Sequence, residues 1–224
     1  MIKAIFTPLL RIMVRVKIEG QENLPQSGPV ILAANHRSFL DSMFIPLIVK
    51  RRVTFVAKAE YFDSWKTAWF FRGVGQIPIR REGGSASQGA LDAAADVLKS
   101  GGVFGIYPEG TRTRTGRLHR GHTGVARPAL QCNAPIVPVG LVGTDEVQPV
   151  DRKLPHFGRT VTVRFGEALD MEHYHHEDHD HLTLRAITDE LMFELQALSG
   201  YEYDDTYATK KAEDLPTEEV KLAS

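Results

Sequence analysis

Two short segments carry side chains able to do chemistry together. The first is Ala34-Asn35-His36-Arg37-Ser38-Phe39-Leu40-Asp41, which follows the apolar run Val30–Ala34. A histidine at the C-terminal end of a strand stands where open α/β sheets gather their sites. Its ordinary pKa makes it a natural general base near neutral pH. A carboxylate beside it can fix its tautomer and stabilise its charged form. His36 and Asp41 are five positions apart, which on a regular helix leaves them about 140° apart around the axis. They can meet only if His36 precedes the helix. Ser38 as N-cap and Asp41 as third helical residue would provide that geometry, because a side chain at that position reaches back to the cap loop. The same pattern also fits an Asp41 that merely caps a helix and a His36 that is an ordinary loop residue.

The second segment is Tyr107-Pro108-Glu109-Gly110-Thr111-Arg112, at the end of the apolar run Val103–Tyr107. Arg112 can grip a phosphate in bidentate fashion. Glu109 would hold that arginine or a substrate hydroxyl, and Arg114, Arg117 and Arg120 deepen the positive field. An exposed turn with a surface ion pair is the plainer alternative. A third stretch, Phe71 to Arg81, leaves Arg80 and Arg81 just after a strand, and a fourth, Ile136–Leu141, is apolar and serves as core or as a wall beside an apolar ligand.

The elements that must position these residues are legible from periodicity. Strands are expected at Val14–Glu19, Val30–Ala34, Val53–Ala57, Gln76–Ile79, Val103–Tyr107, Ile136–Leu141 and Thr160–Phe165. Helices are expected at Ser38–Val49, Trp65–Phe71, Ser87–Lys99, Gly121–Gln131 and Leu182–Leu198. The alternation predicts an α/β fold with a mixed, largely parallel central sheet flanked by helices. Residues 1–17 precede it as an amphipathic helix: Lys3, Thr7, Arg11 and Arg15 form a polar stripe and Ile2, Ile5, Phe6, Leu9, Ile12, Met13 and Val16 fill the rest. Such a helix can lie in a membrane interface, although Thr7-Pro8 reads as an N-cap and first turn that would start it later. From Tyr201 to Ser224 the chain is polar and acidic, which predicts a flexible tail.

Composition sets further bounds. The net charge of -1 conceals 19 Lys+Arg against 9 Asp+Glu in residues 1–130, and 8 against 19 in the remainder. A basic front half points to an anionic partner. No apolar run approaches the roughly 20 residues that span a bilayer, and Arg11 and Arg15 interrupt any signal-peptide core. The single cysteine, Cys132, excludes a disulfide framework and reads as a small packed residue rather than a nucleophile. His173, His175, His176, His179 and His181 crowd together with Glu177, Asp178 and Asp180, but a His-x-His-x-Asp-His metal motif fails in register here, so no metal site is expected. A Gly-x-Ser-x-Gly elbow and a phosphate-cradling P-loop are both absent from the sequence. No nucleic-acid motif is present, so no nucleic-acid partner is expected.

Taken in order, the four segments resemble the glycerolipid acyltransferase family that includes the 1-acylglycerol-3-phosphate (lysophosphatidic acid) acyltransferases. That family carries an Asn-His-x-x-x-x-Asp block, an arginine-bearing Gly/Ile block, a Phe/Tyr-Pro-Glu-Gly-Thr-Arg block and a Val-Pro-Val block. The resemblance covers about Gly20 to Gly166, which implies an acyltransferase domain over 18–200. It implies that His36 deprotonates the acceptor hydroxyl and that Asp41 orients His36. It assigns Glu109, Gly110, Thr111 and Arg112 to the substrate phosphate, joined by Arg80 or Arg81 and, less directly, Lys58. It implies direct attack of the hydroxyl on a thioester, with no acyl-enzyme and no bound cofactor. The donor would be acyl-CoA or acyl carrier protein. The acceptor would be lysophosphatidic acid, giving phosphatidic acid, with glycerol 3-phosphate or another lysolipid as the alternative. The protein is then expected as a peripheral enzyme on an anionic lipid surface at the cytoplasmic face of the cell membrane. Amides near the start of the Ser38 helix are the candidate oxyanion donors. A noncatalytic anionic-lipid-binding module is the reading of another class, and turnover distinguishes the two.

Overall fold

The run Val30–Ala34 is buried at every position because it is strand β2, at the middle of a seven-stranded sheet. A computed structural model describes residues 2–79, 85–150, 152, 154–172, 174 and 180–209. Across the sheet the order is β1 (Arg15–Glu19), β8 (Thr160–Phe165), β7 (Ile136–Val142), β2, β5 (Val103–Ile106), β3 (Val53–Lys58) and β4 (Ile77–Ile79). Every neighbouring pair is parallel except β7 with β8. The expected mixed, largely parallel sheet is therefore what forms, and each of the seven expected strands is there with its ends displaced by at most one residue.

Parallel strands need cover on both faces, so their side chains are apolar in both directions. Along β2, Val30, Leu32 and Ala34 pack on one face with Leu10 of α1 (Ile2–Met13) and Phe44 and Ile45 of α2 (Asp41–Ile48). Ile31 and Ala33 point the other way, against Leu98 of α5 (Ser85–Lys99), Ala129 of α6 (Ala126–Gln131) and Ile187 of α8 (His181–Ser199). Short helices α3 (Glu60–Asp63), α4 (Trp65–Gly73) and α7 (Thr144–Val147) complete the layers. No helix among the described residues is long and apolar enough to cross a membrane.

Three expectations need correction. The N-terminal helix begins before Pro8 and stops at Met13, so residues 15–17 belong to the sheet through β1 rather than to a helix. Its first two turns are held from outside: Lys3 Nζ donates to the Val49 and Arg51 carbonyls, both at 2.9 Å, and Thr7 Oγ1 donates to Leu47 O at 3.1 Å. Those bonds satisfy carbonyls at and beyond the C-terminus of α2, where a helix leaves them without internal partners. They also turn two members of the polar stripe inward, while Ile5, Leu9 and Ile12 face outward. Second, two helices start later than expected: α2 at Asp41 rather than Ser38, and α6 at Ala126 rather than Gly121, after a 3-10 turn at Thr123–Val125. Third, the supposed tail does not begin at Tyr201. Tyr203–Asp204 (β9) pairs in parallel with Leu118–His119 (β6), and residues 201–209 are described, while residues 210–224 lie outside the described set.

Candidate active site

Three parallel strands, β2, β5 and β3, end on one edge of the sheet and deliver the first and third sequence blocks there. At the end of β2, Asn35 extends the ladder with its side chain. Its Nδ2 donates to Leu141 O at 2.9 Å and its Oδ1 accepts from Leu141 N–H at 2.7 Å. The main chain beyond is then free to turn into the loop that carries His36.

That turn is fixed by the neighbouring loop. The His36 N–H donates to Glu109 Oε1 at 2.9 Å, and the His36 carbonyl accepts from Thr113 N–H at 2.9 Å. The imidazole lies flat on the Tyr107 ring, with centroids 3.9 Å apart and planes 9° apart. Tyr107 in turn stacks on Phe55 at 5.2 Å, and its hydroxyl lies 3.2 Å from Ser42 Oγ. Burial first, with the Asp41 charge second, holds the Tyr107 phenol far above its usual range, so it stays neutral. Gly105 makes this stack possible: a Cβ there would stand 2.2 Å from Phe55 Cζ.

His36 Nδ1 lies 2.9 Å from Asp41 Oδ2, and the same oxygen accepts the N–H groups of Arg37 and Ser38, each at 2.7 Å. Asp41 is fully buried, and its Oδ1 has no hydrogen-bond partner among the described residues. A carboxylate only accepts, so Nδ1 carries the proton and Nε2 is left with its lone pair. The expected reach-back of Asp41 is thus present although the helix is shorter. Ser38 Oγ accepts from Leu40 N–H at 3.2 Å and donates to Gln148 O at 2.9 Å. The amides of Arg37, Ser38, Leu40 and Asp41 are all engaged within this turn or with Asp41, which removes those four as oxyanion donors.

Glu109 is 1% exposed, and both carboxylate oxygens are taken, Oε1 by His36 N–H and Oε2 by His119 N–H at 3.0 Å. Burial raises its pKa to about 7, against the lowering effect of those two amides. This corrects its expected place at the substrate phosphate: Glu109 ties the loop after β5 to the backbone of His36. Gly110 has φ +72° and lies against His122, whose Cδ2 would be 3.1 Å from an added Cβ. Thr111 and Arg112 follow, both half-buried. Arg112 forms no hydrogen bond or ion pair with another described residue.

Lys58 closes β3, in register with Ile79 of β4, which places its backbone on the same edge. Arg80 and Arg81 lie outside the described residues, as do His173, His175, His176 and His179, while His181 opens α8. Cys132 sits at the end of α6, its Sγ 3.9 Å from Ala95 O.

Three contributors to the site were not singled out from the sequence. Arg37 pairs with Asp145 at 2.5 Å, bonds Gly116 O and lies over the Tyr201 ring at 3.8 Å. Tyr107, at the expected strand end, stacks on His36, and an aromatic just before Pro-Glu-Gly is the available signal. His119 has no local signal, since β6 exists only through its long-range partner. In chemical terms, a buried carboxylate holding an imidazole with a free lone pair can remove a proton from a hydroxyl.

A family model described as Acyltransferase matches residues 15–142, a stretch that contains His36, Asp41 and the Glu109–Arg112 loop. A chloroplastic 1-acyl-sn-glycerol-3-phosphate acyltransferase of Arabidopsis thaliana is 32% identical over 136 residues, 60% of this chain and 38% of that protein. The 1-acyl-sn-glycerol-3-phosphate acyltransferase of Bacillus subtilis is 28% identical over 140 residues, 62% of this chain and 68% of that one. The plant relatives are much longer, and the matched stretch spans about two fifths of their length. The crystal structure of the 1-acyl-sn-glycerophosphate (LPA) acyltransferase of Thermotoga maritima superposes with a TM-score of 0.67 at 25% identity, covering 86% of this chain and 76% of that one.

Proposed function

The chain belongs to the acyltransferase family, and on that premise we propose that it transfers a fatty acyl group from a thioester to the free hydroxyl of 1-acylglycerol 3-phosphate, forming phosphatidic acid. The observation that carries this reading is the His36–Asp41 pair, in which one buried oxygen accepts three N–H groups. His36 Nε2 takes the proton of the acceptor hydroxyl as its oxygen attacks the thioester carbonyl. Asp41 stabilises the imidazolium that results. The tetrahedral adduct collapses, the C–S bond breaks, and the imidazolium returns the proton to the departing thiolate. Ester and thiol are the products, and no acyl-enzyme is required. A placed base contributes about 10²–10⁴-fold; positioning of both substrates supplies much of the rest.

The acceptor phosphate is assigned to Arg112, with the Gly110-Thr111 backbone, and to Lys58 at the end of β3, joined by Arg80 and Arg81. Arg112 suits the task because no other described residue occupies its guanidinium, and arginine forks match phosphate oxygens. The thioester donor is acyl-CoA or acyl carrier protein, and no bound cofactor is invoked.

We place the protein peripherally on the cytoplasmic face of the membrane. Support comes from α1, which turns Ile5 (64% exposed) and Ile12 (82% exposed) outward. Its Phe6 ring meets Trp69 at 6.2 Å, which joins this face to the exposed Trp65 and Trp69 of α4. Tryptophan favours the headgroup region, and an apolar helix face can lie in the interface plane.

The test follows free thiol and lipid product together, using long-chain acyl-CoA, then acyl carrier protein, with detergent-dispersed lysophosphatidic acid. Phosphatidic acid formed by the wild type and lost in His36→Ala supports the proposal. Product with glycerol 3-phosphate alone keeps the mechanism and changes the acceptor. Thiol release without acceptor makes the protein a thioesterase. No turnover by folded protein with either donor sinks the catalytic reading in favour of a lipid-binding module.

A further inference from the structure

The segment after α8 grips both loops of the site. Gly200 ends the helix in the left-handed conformation at φ +72°, which turns the chain back across the molecule. Tyr201 then lies under the guanidinium of Arg37, 3.8 Å from its ring centroid, and Arg37 is the residue whose N–H holds Asp41. A few residues on, the same strand holds the other loop. Leu118 N–H donates to Glu202 O at 2.9 Å, Arg120 N–H donates to Thr206 O at 3.0 Å, and His119 Nδ1 lies 3.2 Å from Thr206 O. Tyr207 stacks on His122 with centroids 4.6 Å apart and planes 9° apart, and His122 is the ring that packs against Gly110.

These contacts lead to the chemistry by two short routes. Through Arg37 the clasp reaches Asp41. Through His119, whose N–H binds Glu109 Oε2, it reaches Glu109 and then the His36 backbone. The ion pairs along it, Arg117 with Glu202 at 3.4 Å and Arg120 with Asp205 at 3.7 Å, are exposed and contribute little by themselves. The backbone bonds, the Tyr207–His122 stack and the Arg37–Tyr201 cation–π contact define the geometry.

We infer that residues 201–207 are a clasp that sets the distance between the general base His36 and the anion-binding loop 109–112, making Tyr201 and Tyr207 positioning residues for acyl transfer. The inference rests on the acyltransferase reading of the site. A lysolipid must place its phosphate on one loop while its hydroxyl meets a base on the other. Spacing between the loops therefore governs the acceptor, and the thioester donor is less sensitive to it.

The experiment uses the full chain. Tyr207 is half-exposed, so Tyr207→Ala removes a stack without opening the core; Tyr201→Leu removes the other arm, and Tyr207→Phe restores the ring. In Tyr207→Ala the KM for lysophosphatidic acid is expected to rise about tenfold with the acyl-donor KM unchanged, within the range that small misplacements cost. Tyr207→Phe should return to wild type. Amide hydrogen exchange at Thr113 and His119 should quicken in Tyr207→Ala, a readout that needs no turnover and stands if Tyr201→Leu does not fold. Unchanged acceptor KM with unchanged exchange in Tyr207→Ala overturns the clasp, as does an equal rise in both KM values. An inactive wild type with quickened exchange in Tyr207→Ala would overturn the catalytic role while leaving the mechanical coupling.

Discussion

Replacing Asp41 by Asn separates the charge of this residue from its geometry. All three donors converge on Oδ2, at 2.9 Å from His36 Nδ1 and 2.7 Å from the Arg37 and Ser38 amides. An asparagine oxygen placed there keeps those bonds, and with them the tautomer that leaves Nε2 free. Its NH₂ falls where Oδ1 now stands without a described partner, so it adds one unsatisfied buried group at about 1–3 kcal/mol of stability. What disappears is the carboxylate beside the imidazolium. Two unit charges about 4 Å apart interact by about 4 kcal/mol at an effective dielectric of 20. The residual amide dipole returns part of that, so kcat should fall about 10²–10³-fold, at roughly 1.4 kcal/mol per factor of ten. Loss of tautomer control as well would cost more, about 10⁴-fold in the serine-protease case. The assay is acceptor-dependent thiol release, with kcat and both KM values measured and the fold checked by thermal melting. A folded Asp41→Asn protein within about threefold of wild-type kcat refutes the electrostatic role, since uncatalysed positioning would then account for the rate.

Removing the Arg112 guanidinium by Arg112→Ala should raise the KM for a phosphate-bearing acceptor about tenfold or more, with Arg112→Lys intermediate because it keeps the charge and loses the fork; equal KM values in all three proteins argue against a phosphate role. Glu109 gives a pH signature. Its pKa is raised from 4.5 to about 7, so between those values the unfolded chain binds fewer protons than the folded one, and stability falls as pH rises. Relative to Glu109→Gln, wild type should lose about 2 kcal/mol between pH 5 and pH 8 in urea melts; a difference independent of pH contradicts the assignment. Ile12→Ser with Trp65→Ser should weaken sedimentation with anionic vesicles while leaving activity in detergent dispersion intact, and unchanged vesicle binding rejects the interfacial face.

The parts of this molecule that sequence determined are those in which local pattern and final environment agree. Val30–Ala34 is apolar at every position because both faces of a parallel sheet are covered, and periodicity alone announces that. His36 and Asp41 were readable as partners because they belong to one turn, where five residues of separation and a capping geometry leave few arrangements. Glu109 could be placed near them, but its job could not be read. A carboxylate in a basic loop suggests a phosphate or an arginine, whereas here two backbone amides from distant positions claim it. The same limit applies to α1, where Lys3 and Thr7 look like a solvated stripe until the carbonyls of Leu47, Val49 and Arg51 come within reach.

Residues 201–209 mark the boundary most clearly. Their polar, acidic composition implies a solvated tail, and the three tyrosines within the segment carry no periodicity that announces an element, although Tyr201 and Tyr203 pack against the core. Its order comes from Leu118, Arg120, Arg37 and His122, which contribute backbone groups and flat surfaces from far away in the chain. Sequence alone therefore determined the sheet and the family resemblance and proposed the His36–Asp41 pair, since each rests on short-range pattern, while the 2.9 Å contact decided between that pair and a simple helix cap. Tertiary structure alone decided what Glu109 holds, which face of α1 is outward and what the chain after Gly200 does, because hydrogen bonds and ring contacts between segments distant in sequence leave no periodic trace in either segment.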